Sequence, residues 1–330
     1  IKPSFCGPCF GAGDVPANNG LSLRHTTRNF PNREGSKPGE GQFAGVCLMD
    51  ARSIAATALN GGKITAATDM EYEFDSSAFD RRIYYGFGKA DPSVELVMGP
   101  NITDWPKMYA LTENLLVKLA AVIHDPVTTT DELIPSGETS SYRSNPLRLA
   151  EFTLSRREPA YVGRAKEIAK LEGERRSGAV PAEIVETLNR VGNGAELANN
   201  TQFGSCVFAN KPGDGSAREQ AASCQKVLGG FANICYEYAT KRYRSNCINW
   251  GILPFTIDNG TEFNYEPGDC VFVPGIRAAV ENGTENIPAK VIRQNGDVCD
   301  IMLHLRGLTP DEKEIILDGC LMNYYAARAE

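Results

Sequence analysis

Ser216 and Arg218 are the residues of this chain best placed to do chemistry, because both fall in the glycine-rich run Lys211-Pro-Gly-Asp-Gly-Ser-Ala-Arg-Glu-Gln220. The run joins a strand-like stretch, Cys206 to Ala209, to a helix-like one, Ala217 to Leu228. Backbone N–H groups at a helix start are unpaired and carry partial positive charge, so such a corner can hold an anion such as a carboxylate. Gly213 and Gly215 permit close approach of a ligand. A hydroxyl among those N–H groups, with a guanidinium two residues on, is favoured to lose its proton. Ser216 is therefore a candidate base or nucleophile. The same letters carry a plainer reading, since Ser216-x-x-Glu219 is also a capping box in which the serine only closes the helix.

Two other sets of residues carry chemistry. In Cys6-Gly-Pro-Cys9 the spacing suits two thiolates that chelate a metal or cluster, or that cycle through a disulfide. A redox pair calls for a strand before it and a helix after it, whereas Phe10 to Gly20 is a loop by composition, so ligation is preferred. Arg28 and Arg33 flank a proline turn in Arg28-Asn-Phe-Pro-Asn-Arg33. Guanidinium forks match carboxylates bidentately, and two on one loop could bind a di- or tricarboxylate; the alternative is a pair of solvated loop arginines. None of the three histidines has a second at metal-ligand spacing, and His304, in a strand, is expected to be structural.

These residues need elements to hold them. Val46 to Met49 reads as a buried strand, Asp50 as an N-cap, Ala51 to Leu59 as a helix and Gly61-Gly62 as its stop, a β-α unit packed on a sheet. From about 68 to 105 the pattern breaks into turn signals, which reads as a linker between two domains. Beyond it, Leu115 to Ile123 is a strand, Pro159 to Glu172 a helix with Tyr161, Ala165, Ile168 and Ala169 on one face, and Ala182 to Val191 another helix. After the glycine corner come a strand over Asn233 to Ala239, a helix over Thr240 to Trp250 and a strand over Cys270 to Val273. Ala289 to Arg293 and Val298 to Leu305, parted by Asn295-Gly296, form a hairpin. Thr309-Pro-Asp-Glu312 is a capping box that starts a final helix running to about Ala327. Alternating strands and helices imply an α/β fold.

The chain has 330 residues, so two domains are the default expectation. With 42% hydrophobic and 23% charged residues it has the composition of an ordinary soluble globular protein. A net charge of −7 argues against a nucleic-acid-coating surface, which needs clustered Lys and Arg. No apolar run approaches the roughly 20 residues of a membrane span. Six of the ten cysteines, Cys206, Cys224, Cys235, Cys270, Cys299 and Cys320, sit in strand-like or helix-like runs, as reduced thiols acting as small hydrophobes do, and a reducing cytoplasm fits best. The chain begins at Ile1 without a methionine, as the C-terminal part of a longer protein would.

Taken in order, the motifs resemble the C-terminal part of the aconitase superfamily, iron–sulfur hydro-lyases that interconvert hydroxy acids by dehydration and rehydration. The matching pieces are Cys6-Gly-Pro-Cys9, Arg28-Asn-Phe-Pro-Asn-Arg33, Met98-Gly-Pro-Asn101, Thr129-Thr-Asp131, Arg143-Ser-Asn145, Gly213-Asp-Gly-Ser-Ala-Arg-Glu219 and Gly251-Ile-Leu-Pro254. The resemblance implies the end of a cluster domain over 1–67, a linker over 68–105 and a β/α swivel domain over 106–330. It implies that Cys6 and Cys9 are two of three thiolates on a [4Fe-4S] cluster, the third belonging to a missing N-terminal portion. By the same likeness Arg28, Arg33, Arg143 and Arg218 bind substrate carboxylates, Ser216 abstracts the substrate proton, and Asp131 supports the site. The sequence departs from the family at Ala217, where many aconitases have a second serine, and at Glu132 and Gln220, where they have histidines. Those departures put citrate itself in doubt and set the chain nearer a bacterial hydratase branch than the housekeeping enzyme. Two other classes stand beside this reading: a relative without catalysis that serves as a regulatory or RNA-binding protein, and a CxxC redox protein.

Overall fold

The computed structural model describes residues 19–25, 41, 43, 45–73, 75–77, 88–89, 91–95, 97–99, 102–137 and 139–328. Cys6, Cys9, Arg28 and Arg33 lie outside the described residues. The chain divides into two compact units, Ile1–Leu96 and Val97–Glu330, and the division falls within the 68–105 stretch.

In the first unit β1 (Leu21–Arg24) pairs in parallel with β2 (Gly45–Leu48), and α1 (Ala51–Leu59) follows. Asp50 caps α1 through a carboxylate oxygen that accepts from Arg52 N and Ser53 N, each at 3.0 Å. Gly61 and Gly62 end the helix with φ of +64° and +87°, which side chains rarely adopt. The strand is less buried than its apolar letters predict: only Gly45 is buried, and Leu48 is exposed.

The second unit is built on a closed barrel in the order β10-β11-β8-β7-β5-β3-β9. Here β3 is Asn114–Ile123, β4 Thr128–Thr129, β5 Thr201–Ala209, β6 Pro212–Asp214, β7 Gly230–Cys235, β8 Leu253–Thr256, β9 Cys270–Val273, β10 Asn286–Ile292 and β11 Val298–His304. The four strands β3, β5, β7 and β8 run parallel, and β9, β10 and β11 complete the closure antiparallel. Strands that bury both faces are mainly apolar, as β3 is apart from Asn114 and Lys118; every residue of β5 is buried, the polar Thr201, Gln202 and Ser205 included. Along β3, Leu115, Val117 and Leu119 join Cys206, Phe208 and Ile234 in one cluster. Leu116, Ala121 and Ile123 join a second cluster with residues of the covering helices, among them Tyr161, Ala165 and Ala221. A bulge between Leu119 and Ala121 separates the two registers.

The helices of this unit are α2 (Thr130–Leu133), α3 (Pro146–Ala150), α4 (Tyr161–Arg176), α5 (Ala182–Leu188), α6 (Gly194–Asn199), α7 (Arg218–Val227), α8 (Lys241–Asn249), α9 (Ile276–Asn282), α10 (Pro310–Asp318) and α11 (Leu321–Ala326). Two expectations are corrected. The final helix is two helices, because Gly319 adopts φ +93° and ends α10. The strand expected over Asn233 to Ala239 is β7, Gly230–Cys235; past Cys235 the chain leaves the sheet, and Ala239 N bonds Pro212 O at 2.9 Å.

Candidate functional site

The glycine corner sits at the carboxyl ends of the parallel strands, where open α/β architectures place ligands. After β5 the chain turns into β6, which pairs in parallel with β4. That pairing brings the Thr129-Thr-Asp131 segment against the Gly213-to-Arg218 segment. Both glycines are obligatory there. Gly213 has φ +97°, and a Cβ on it would lie 2.2 Å from the Tyr243 ring; Gly215 has φ +129°, and a Cβ on it would lie 2.2 Å from Thr130 Oγ1.

One hydroxyl ties the corner down. Thr240 Oγ1 donates to Gly213 O (3.1 Å) and accepts from Tyr243 N (3.2 Å), the latter as N-cap of α8, and from Arg218 Nε (3.2 Å). A threonine hydroxyl has one donor and two acceptor sites, so all are used. Arg218 is thereby fixed through Nε, while its two Nη atoms make no hydrogen bond to the described residues.

The capping-box reading of Ser216 is not what the structure contains. The helix α7 starts at Arg218, its N-cap is Ala217, and no side chain caps it. Ser216 is exposed, and its hydroxyl has no partner among the described residues. Ser216 and Arg218 line a cleft of about 360 Å³ with Glu219, Lys241, Arg242, Ser245 and Asn246. The N-termini of α7 and α8 both open on it. Cations in a helix's first turn run against its dipole, yet Lys241 and Arg242 stand at the start of α8 with no acidic residue in that turn. Glu219, the cleft's carboxylate, accepts from Trp250 Nε1 at 3.1 Å. Arg218, Lys241 and Arg242 together leave the cleft cationic and suited to an anion.

Asp131 lies one residue beyond Thr130, whose Oγ1 faces Gly215, so it borders the corner. Its carboxylate is paired with Arg156 Nη1 at 2.8 Å, and both groups are half-exposed. Glu132 completes a capping box: Thr129 N donates to its Oε2 at 2.7 Å, and Glu132 N donates to Thr129 Oγ1 at 3.2 Å. It therefore shapes the loop that meets the corner. Arg143 is exposed and sits on the turn before α3, which packs on α7. Thr240, Lys241 and Arg242 were missed as site residues; the signal present in the sequence is a threonine cap followed by adjacent cations at a helix start.

Among the described residues no group of three or more His, Cys, Asp or Glu could hold a metal ion. Burial makes five cysteines of the second unit poor ligands. The thiols of Cys224, Cys247 and Cys270 are pushed up to about 12 by desolvation, and those of Cys206 and Cys235 are raised further, so all stay protonated. No described cysteine is in a disulfide. His304 is buried and bonds Asn286 Oδ1 through Nδ1 at 2.9 Å, a structural role. Among the described residues no helix is long and apolar enough to cross a membrane.

The Aconitase C-terminal domain family matches residues 201–260, the span that holds β5, the corner, α7, β7, α8 and β8. A 3-isopropylmalate dehydratase small subunit from Metallosphaera sedula is 31% identical over 130 residues, which is 39% of this chain and 70% of that protein. A protein of Emericella nidulans named for a mitochondrial aconitate hydratase is 23% identical over 99% of this chain and 43% of its own length. Aconitate hydratase A of Bradyrhizobium diazoefficiens is 28% identical over 36% of this chain and 13% of its own length. The chain thus spans less than half the length of these aconitate hydratase relatives. A solved structure of 3-isopropylmalate dehydratase (leuD) from Methanocaldococcus jannaschii aligns over 65% of this chain at 19% identity and TM-score 0.38.

Proposed function

The chain belongs to the aconitase superfamily, and from that premise we propose that it supplies the proton-abstracting half of a hydro-lyase site for a di- or tricarboxylic hydroxy acid. The observation that carries this reading is the cationic cleft in which, among the described residues, the Ser216 hydroxyl and both Nη atoms of Arg218 make no hydrogen bond. Arg218 takes a substrate carboxylate bidentately and holds the adjacent carbon over Ser216. Ser216, as alkoxide, removes the proton from that carbon and becomes a neutral hydroxyl; the electron pair left behind forms the double bond as the neighbouring hydroxyl departs as water with a proton drawn from solvent, and Ser216 afterwards returns its own proton to solvent. The positive ends of α7 and α8, with Lys241 and Arg242, stabilise the alkoxide and the charge that grows on the carboxylate. Hydration runs the same steps in reverse.

Arg28, Arg33 and Arg143 are assigned to the remaining carboxylates, and Asp131 to holding the loop that borders the corner. In this reading Cys6 and Cys9 are two ligands of a [4Fe-4S] cluster whose third cysteine comes from outside this chain, and the cluster supplies Lewis-acid chemistry at the departing hydroxyl. The protein therefore acts with an aconitase-like N-terminal portion, within a longer chain or as a partner.

Arg218→Ala tests the assignment in the complete protein, assayed for hydration of an unsaturated di- or tricarboxylate. The expected result is a higher KM together with a turnover roughly 10²-fold lower, since Arg218 both binds and stabilises charge. Unchanged KM and kcat would remove the cleft from the reaction.

A further inference from the structure

Helix α7 begins at the candidate site and ends, about 12 Å further along its axis, in a second concentration of charge with no assigned role. Lys226, near its C-terminus, is 5% exposed. Its Nζ donates to Gly251 O at 3.2 Å and lies 4.5 Å from the centre of the Phe231 ring. An ammonium has three N–H donors, so a single carbonyl and a ring face leave it under-satisfied.

The surroundings deepen the shortfall. Glu172, also buried, accepts from Arg175 Nε (2.7 Å) and Nη2 (2.9 Å) and from Phe203 N (3.0 Å), and it forms an ion pair with Arg176 Nε at 2.6 Å. Both of its oxygens are thereby engaged by Arg175 and Arg176. The Arg176 guanidinium stacks on Tyr109 at 3.9 Å, and among the described residues its buried Nη2 has no hydrogen-bond partner. Glu172 thus serves two cations, Arg175 and Arg176, and Lys226 has no carboxylate partner among the described residues. Lys226 and Arg176 face a cavity of about 200 Å³ whose other walls include Tyr109, Phe203 and Phe231. Burying a cation without an anion is costly, so such a cavity has a place for one.

We propose that this cavity binds a small flat organic carboxylate, its anionic end between Lys226 and Arg176 and its apolar body against the aromatic wall. The site shares no lining residue with the Ser216 cleft and stands whether or not that cleft is catalytic.

Burial lowers the Lys226 pKa to about 7; the nearby Arg176 pushes the same way, and the Cys320 thiol opposes it. The other charged or titratable groups facing the cavity are Glu172, Lys107 and Tyr109. An empty cavity therefore leaves the Lys226 amine largely neutral above pH 7. A bound carboxylate restores the charged form, so binding at alkaline pH takes up a proton.

Isothermal titration of benzoate into the chain, in two buffers of different ionisation heat, reads that proton directly. At pH 8 saturable binding with uptake of more than about half a proton is expected, falling towards zero at pH 6. Lys226→Met should abolish the uptake and weaken binding about tenfold or more; Arg176→Gln should weaken binding while leaving the uptake. Inorganic phosphate, which cannot use the aromatic wall, should bind more weakly than benzoate. Absence of saturable benzoate binding, binding without proton uptake at pH 8, or phosphate binding as tightly as benzoate would overturn the proposal. If Lys226→Met fails to fold, the wild-type uptake alone decides.

Discussion

Ser216 and Lys226 occupy the two ends of one stretch of chain in opposite circumstances, one exposed with no hydroxyl partner among the described residues and the other buried with a charge it can barely hold. Ser216 and Arg218 are legible in the sequence because their glycines, Gly213 and Gly215, announce a backbone that comes close to something. Lys226 is not legible, since a lysine late in a helix reads as a solvated cation completing the dipole. Only the burial of Ala221 through Lys226 on α7 reveals otherwise. The difference has a measurable linkage. In the unfolded chain Lys226 keeps its proton up to about pH 10.4, whereas in the fold it loses it near 7. Between those values the unfolded state binds more protons, so stability rises with pH, by up to about 1.4 kcal/mol per unit for this group. Chemical denaturation at pH 7 and pH 9 should show the wild type gaining on Lys226→Met by on the order of 1–3 kcal/mol as pH rises, with the gain lost as pH falls through 7. A pH-independent difference between the two would mean that Lys226 titrates normally.

Elements were readable where their signals are local. Asp50 before α1 and the Thr309–Glu312 box before α10 each act through bonds spanning three residues, and both form as expected. The break after α10 is decided at long range. Gly319 packs where a Cβ would lie 2.0 Å from Tyr109 O, and Gly251 packs where a Cβ would lie 2.0 Å from Gly319 O, so three backbone segments are stacked in contact. Helix propensity over 310–327 carries no trace of that stack. Gly319→Ala meets both an unfavourable φ and a backbone clash, and should cost more than about 2 kcal/mol in urea denaturation. A cost below about 0.5 kcal/mol would show that the stack gives way easily. The displacement of the β7 strand from its predicted span has the same origin, since Tyr236 and Ala239 bond to Asn210 and Pro212 rather than to a neighbouring strand.

At the scale of the whole molecule the α/β class followed from the order of elements, whereas barrel closure did not. Closure depends on β9 meeting both β3 and β10, and the separation of these strands in sequence hides it. We propose that the 68–105 stretch is a linker, and limited proteolysis should place the first internal cuts there, because a linker has few buried contacts protecting its backbone. First cuts confined to residues after Trp105 would reject that boundary. The central claim of the proposed function is that Ser216 takes the substrate proton, with an aconitase-like N-terminal portion proposed to complete the site. The most direct measurement compares turnover and stability of Ser216→Ala and Ser216→Asn in the complete protein, hydrating an unsaturated di- or tricarboxylate. Since Ser216 caps no helix, both variants should fold with wild-type stability, bind substrate nearly as well, and turn over roughly 10²-fold more slowly or worse, because neither side chain can accept the proton. Near-normal turnover in Ser216→Asn would contradict the account and move the chemistry away from this corner.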